Sequence, residues 1–214
     1  MTSHHVETAT HGLVLVDEPQ DPYSGRVLVA CHGYAQNAEI MLDDARRIPG
    51  VKEGWRVVSV QALHRFYARA DQSVVASWMT REDRELAIAD NIAYLDRAVD
   101  VAGGREARVI VFLGFSQGAA MAYRAALQGR HPAAGIIALG GDIPPDAQQE
   151  TARAWPPVLL GAGTRDTWYS AEKAAADERY LTSRAVRYEI VGFDGGHEWT
   201  DEFRDVAGRW LRSL

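Results

Sequence analysis

Gly114-Phe115-Ser116-Gln117-Gly118 sets a serine between two glycines, directly after the apolar run Val109-Ile110-Val111-Phe112-Leu113 and directly before a helix-forming run from Ala119 to Arg124. A Gly-x-Ser-x-Gly segment between a strand and a helix is the pattern of a nucleophile elbow, a tight turn that pushes the serine oxygen out of the backbone. The flanking glycines have a physical reason, because such a turn leaves no room for side chains beside it. A glycine-rich turn whose serine merely caps the helix would read the same way locally. A serine hydroxyl is a weak nucleophile until a base takes its proton and an acid orients that base, so the rest of the chain has to supply both.

The base expected is His197, in Gly195-Gly196-His197-Glu198 near the end of the chain. The acid expected is Asp166, which follows the apolar run from Pro157 to Gly163. Asp142 and Asp194 compete for the acid role; Asp194 lies three residues before His197 in sequence and ranks lower, as does Asp142 on the preceding strand. The chain order serine, aspartate, histidine is that of α/β-hydrolases and differs from the order in other serine-hydrolase folds. Acyl transfer further needs donors for the oxyanion. The amide of Gln117, next to the nucleophile, supplies one, and the loop His32-Gly33-Tyr34 supplies the other, with Tyr34 as the choice. His32 is read as a brace for that loop. The histidines show no metal-ligand spacing, and His197-Glu198 does not extend to His-Glu-x-x-His, so neither metal nor cofactor is expected.

These residues need a scaffold that brings three distant loops together. Short β-branched runs are expected as strands at Gly12 to Val16, Arg26 to Cys31, Trp55 to Val60, Arg108 to Gly114, Ala134 to Gly140, Pro157 to Gly163 and Ala185 to Val191. Helices are expected at Asn37 to Ile48, Glu82 to Val101, Ser116 to Leu127, Ala171 to Leu181 and Glu198 to Leu214. Strand–helix alternation with apolar rather than alternating strands implies an α/β fold with a mostly parallel sheet covered on both faces. Gln61 to Trp78 reads as one long irregular loop, of the kind that often serves as a lid or binding loop.

Composition limits the alternatives. The 214 residues carry a formal charge of −6 and include 47% hydrophobic residues, which suits one globular domain over 1–214 and disfavours a nucleic-acid or anionic-membrane footprint. Cys31 is the sole cysteine, so no intrachain disulfide forms, and no run of about 18 apolar residues suggests a membrane span. A cytoplasmic location is expected. A homodimer is left open.

Val29-Ala30-Cys31-His32-Gly33-Tyr34, Gly114-Phe115-Ser116-Gln117-Gly118-Ala119, Asp166 after its strand and Gly196-His197-Glu198 together resemble the phospholipase/carboxylesterase family, which includes acyl-protein thioesterases and small carboxylesterases. The resemblance spans nearly the whole chain. It implies an α/β-hydrolase fold without a large cap domain, Ser116, Asp166 and His197 as a triad, Tyr34 and Gln117 as oxyanion donors, and a small ester or thioester as substrate. Ala76-Ser77-Trp78 looks like the family's tryptophan beside the acyl pocket. Two departures bear on pocket shape: Ala35 stands where many relatives have a second glycine, and Asp166 is followed by Thr167, Trp168 and Tyr169 rather than by a valine, so Trp168 and Tyr169 are expected to narrow the pocket. The expected reaction is hydrolysis of short to medium acyl esters through an acyl-enzyme on Ser116. The alternatives are a dienelactone-hydrolase-like enzyme, a lysophospholipase, and a binding protein that keeps the fold without turnover.

Overall fold

A computed structural model describes all residues, 1–214. After an exposed N-terminal segment, the chain runs through β1 (Val14–Asp17), β2 (Arg26–Cys31), α1 (Ala38–Arg46), a short α2 (Val51–Gly54) and β3 (Arg56–Val60). It continues through β4 (His64–Tyr67), β5 (Val74–Ser77), α3 (Arg84–Val101), β6 (Val109–Phe115) and α4 (Gln117–Gln128). The second half comprises β7 (Gly135–Leu139), a short α5 (Pro145–Gln148), β8 (Val158–Gly163), α6 (Ala171–Ser183), β9 (Tyr188–Phe193) and α7 (Asp201–Arg212).

Seven strands form one sheet in the order β1-β3-β2-β6-β7-β8-β9. β1 runs antiparallel to β3 and every other pairing is parallel. The apolar strands follow from this arrangement. In β6, Ile110 and Phe112 face the cluster that holds α3 and α4, whereas Val111, Leu113 and Phe115 face the one that holds α1 and α7. Both faces are dry, so both parities of the strand are apolar. Helix α7 shows the complementary logic, burying Phe203, Ala207, Trp210 and Leu211 at helical spacing. Burial of a side chain such as Leu113 contributes about 1.5–3 kcal/mol, and the strands that end at the site are anchored by many such residues.

The expected loop from Gln61 to Trp78 is instead largely a hairpin. β4 and β5 pair antiparallel as a separate two-stranded sheet, with His64 opposite Ser77 and Tyr67 opposite Val74. Its turn contains no glycine; Gln72 takes the positive φ of 58°. The hairpin leans on the β2–α1 loop through a bridge between Gln36 and Ala76 and through stacking of Phe66 on Tyr34, centroids 5.6 Å apart.

Candidate active site

The carboxyl ends of the central parallel strands converge, as expected for ligand sites in open α/β sheets. β6 delivers Ser116 at its end, and α4 starts on the next residue. Ser116 has φ 55° and ψ −119°, a conformation that costs of order 1–3 kcal/mol and is held by its surroundings. Its amide donates to the carbonyl of Leu139 at 2.8 Å. The flanking glycines are demanded by contact. A Cβ on Gly114 would strike the backbone of Gly118, and one on Gly118 would strike the carbonyls of Cys31 and His32. The first turn of α4 is thus pressed against both its own strand and the end of β2.

β8 ends at Gly163 and the next turn presents Asp166, whose Oδ1 accepts from the amides of Trp168 at 2.8 Å and Tyr169 at 2.9 Å. Its Oδ2 lies 2.7 Å from Nδ1 of His197. Nε2 of the same ring lies 2.7 Å from Oγ of Ser116. Gly140, at a φ of 65°, has a position where a Cβ would come within 3.1 Å of the imidazole, so close passage of the β7 end also needs glycine. The structure therefore brings Ser116, His197 and Asp166 into one hydrogen-bonded chain, with Asp166 buried and His197 partly so. The rival acids sit elsewhere: Asp194 pairs with Arg165 at the surface, and Asp142 lines the cleft 4.0 Å from Nζ of Lys173.

His32 is fully buried. Its Nδ1 meets the carbonyl of Gly33 at 2.7 Å, and its Nε2 accepts from the amide of Ala62 at 3.0 Å. Burial pulls its pKa below the ordinary histidine value, which keeps the ring neutral and able to accept. This geometry fits the bracing reading. Gly33 donates to Oε1 of Gln36 at 2.8 Å, and Ala35 to the carbonyl of Ala76 at 3.0 Å, so the loop is fixed on both sides of Tyr34. The amide of Tyr34 makes no backbone hydrogen bond, and that of Gln117 opens α4 ahead of the helix's own ladder. Both donors therefore remain for a ligand.

Two pocket expectations change. Trp78 is fully buried and absent from the cleft wall; its Nε1 donates to the carbonyl of His32 at 2.8 Å, so it props the loop from beneath. Tyr169 likewise turns inward, and its hydroxyl donates to Oδ2 of Asp177 at 2.9 Å. Trp168 alone of that pair lines the cleft, 74% exposed.

Sequence reasoning missed two positioning groups. The side chain of Gln117, considered only for its backbone, accepts from the amide of Trp78 at 2.9 Å and donates to the carbonyl of Met79 at 2.9 Å. It ties the end of β5 to the elbow. Asp177 on α6 accepts on one oxygen from both Tyr169 and the amide of Ile143, joining the walls that follow β7 and β8. Only a glutamine at the elbow could have signalled the first; nothing in the pattern signalled the second. Above the triad opens a cleft of about 540 Å³, whose walls include Tyr34, Met79, Ala120 and Trp168.

The chain matches the family model described as Phospholipase/Carboxylesterase over residues 14–209. Among solved structures it is similar to esterase PE8, at 22% identity and a TM-score of 0.73, covering 95% of this chain and 98% of that one. A carboxylesterase from Bacillus cereus aligns at 20% identity and a TM-score of 0.72, covering 94% of each chain. Acyl-protein thioesterase 2 from Zea mays aligns at 17% identity and a TM-score of 0.72, covering 95% of this chain and 99% of that one. At these identities the structures speak for the fold. A search of curated protein sequences found no match.

Proposed function

The chain belongs to the phospholipase/carboxylesterase family, and from that premise we propose that it hydrolyses carboxylic esters or thioesters of short to medium acyl chains through an acyl-enzyme on Ser116. The observation that carries this reading is the continuous chain from Ser116 Oγ through His197 to Asp166, with both contacts at 2.7 Å. In the productive tautomer the serine hydroxyl donates to Nε2 and the imidazole Nδ1–H donates to Asp166. As Oγ attacks the acyl carbonyl, His197 takes its proton and Asp166 holds the resulting imidazolium. The amides of Tyr34 and Gln117 stabilise the oxyanion. Collapse breaks the bond to the alcohol or thiol, which leaves with the proton from His197. Water then adds by the same route, releasing the acid and restoring Ser116.

The acyl range is supported by a wall with few apolar side chains and an open mouth at Trp168. The same reading makes the chain one domain built around the seven-stranded sheet, with a cytoplasmic location supported by the lone, buried Cys31. The test is turnover of p-nitrophenyl esters from acetate to laurate by the wild type and Ser116→Ala. Loss of the nucleophile should lower kcat by roughly 10⁶-fold, as removal of a triad member does elsewhere. Unchanged activity in the variant refutes the assignment, and a preference for laurate refutes the acyl range.

A further inference from the structure

The protein is acidic overall, at −6, yet the walls of its cleft are not. Four cationic side chains line it, Arg81, Arg84, Arg124 and Lys173, against one carboxylate, Asp142. Arg81 and Arg84 precede and open α3. Asp83, between them, meets His5 at 2.8 Å, and neither arginine is paired with it or with any other acid, whereas Arg46, Arg56 and Arg105 elsewhere on the surface are ion-paired. Lys173, one of only two lysines in the chain, donates to the carbonyl of Trp168 at 2.9 Å and holds its ammonium at the opposite wall, 4.0 Å from the carboxylate of Asp142.

Arg124 adds a buried cation. Its side chain is fully buried and engages Asp146 in a forked pair, with Nε and Nη2 each 2.7 Å from a carboxylate oxygen. Its Nη1 has only sulfur near it, Met79 at 3.7 Å and Met121 at 3.8 Å. A guanidinium nitrogen left with weak acceptors beneath a cleft is an arrangement that an oxygen anion would improve. Burying such a group is costly unless it is compensated, and Asp146 compensates on only one edge.

Charges of one sign around a concave, partly dry surface focus the field inside it and raise the local concentration of opposite charge. Resting on the esterase reading above, we infer that the substrate of this cleft is an anionic ester or thioester, carrying a carboxylate or phosphate away from the scissile carbonyl and recognised by Arg81, Arg84 and Lys173 over the Arg124 floor. The neutral part of the molecule sits toward Tyr34, Ala120 and Trp168. Electrostatic recognition of this kind acts on capture and therefore on KM and kcat/KM, and it weakens with salt.

The experiment uses two matched pairs of esters at low ionic strength. Mono-p-nitrophenyl adipate against p-nitrophenyl hexanoate puts the anion in the acyl part. The 4-carboxyphenyl against the 4-carbamoylphenyl ester of hexanoic acid puts it in the leaving group. In at least one pair the anionic member should show kcat/KM about tenfold or more above its neutral partner, a gain that 0.5 M NaCl largely removes. The ratio should fall about fivefold or more in Arg81→Gln/Arg84→Gln, since two exposed charges each contribute modestly. Equal kcat/KM within both pairs, or a preference indifferent to salt and to the double substitution, overturns the inference while leaving the esterase reading intact. Absence of Ser116-dependent hydrolysis of all four esters overturns both.

Discussion

Replacing Gln117 by alanine separates its side chain, which anchors a cleft wall, from its amide, which is assigned to the oxyanion. The side chain makes three contacts of ordinary length: it accepts from the amide of Trp78 at 2.9 Å, and its amide nitrogen donates to the carbonyl of Met79 at 2.9 Å and to the hydroxyl oxygen of Ser77 at 3.2 Å. Each hydrogen bond contributes about 1 kcal/mol net, and each buried partner left without one costs about 1–3 kcal/mol. Ser77 keeps its bond to the carbonyl of Met79 at 2.9 Å, and the site is half-buried, so water can reach part of it. A net loss of about 2 kcal/mol follows, equivalent to about 4–8 °C in Tm for a domain of this size. Because Met79 and the following Thr80 and Arg81 form one wall of the cleft, KM should rise by several fold while the backbone donor at position 117 survives. Gln117→Glu is the control. It keeps an acceptor for Trp78 but points a carboxylate at the carbonyl of Met79, so it should destabilise at least as much at pH 8 and recover in part at pH 4. Thermal unfolding and p-nitrophenyl butyrate kinetics read both effects. A Tm and KM unchanged in Gln117→Ala would mean that the wall is held by the hairpin alone.

Substitutions at two further positions test the supports of the site. Burial of Asp177 pushes its carboxyl from 3.8 up to about 6, against the pull of its Tyr169 and Ile143 hydrogen bonds. The folded state therefore holds the proton more tightly than the unfolded chain, and stability falls as pH rises between about 4 and 6. The penalty above that window amounts to about 3 kcal/mol as an upper figure. Both donors meet one oxygen, so Asp177→Asn can keep them; it should gain about 1–3 kcal/mol in urea unfolding at pH 8 and nothing at pH 4, and an equal gain at both would exclude titration as the cause. Ala35, at a φ of 57°, stands in the left-handed region that costs a residue with a Cβ about 1–2 kcal/mol. Part of that is returned by the greater unfolded-state freedom of glycine, so Ala35→Gly should raise stability by about 0.5 kcal/mol and Ala35→Val should lower it by more than 1 kcal/mol, both read by chemical denaturation. A stabilising valine would refute the strain.

The central sheet was legible because its signal is burial. Strands dry on both faces must be apolar at every position, and β2, β6 and β8 are apolar runs that no amphipathic helix would produce. The hairpin was illegible for the opposite reasons. β4 is mostly exposed, His64, Arg65 and Tyr67 among its residues, so it lacks the alternation that marks a half-buried strand. Its turn uses Gln72 at positive φ where the hairpin signal is glycine or asparagine. Trp78 was misplaced because sequence fixes its neighbourhood but not its facing. It lies at the end of β5, beside the cleft, and its ring is drawn under the loop by the carbonyl of His32.

That Ser116, Asp166 and His197 come together was readable from their order and setting in the sequence, yet the groups that support them were not, and the difference is physical. A nucleophile elbow imposes residue types locally, since Gly114 and Gly118 have no space for a Cβ and Ser116 carries the strained dihedrals. Supports act across long sequence separation and through groups that every chain possesses: the amide of Ala62 on His32, that of Ile143 on Asp177 and that of Trp78 on Gln117. Backbone donors leave no trace in side-chain type. The cleft charge belongs to a third category. Arg81, Arg84, Arg124 and Lys173 come from α3, α4 and α6 and their flanks, and the sequence shows them only as scattered cations in an acidic chain. Their significance appears when the fold gathers them around the cleft over Ser116, with Asp142 near Lys173 and Asp146 paired to Arg124 as the acids that oppose them. On the charge-recognition proposal above, substrate selection is set by residues that the catalytic motif neither contains nor predicts, so the motif can persist while the preferred ester changes.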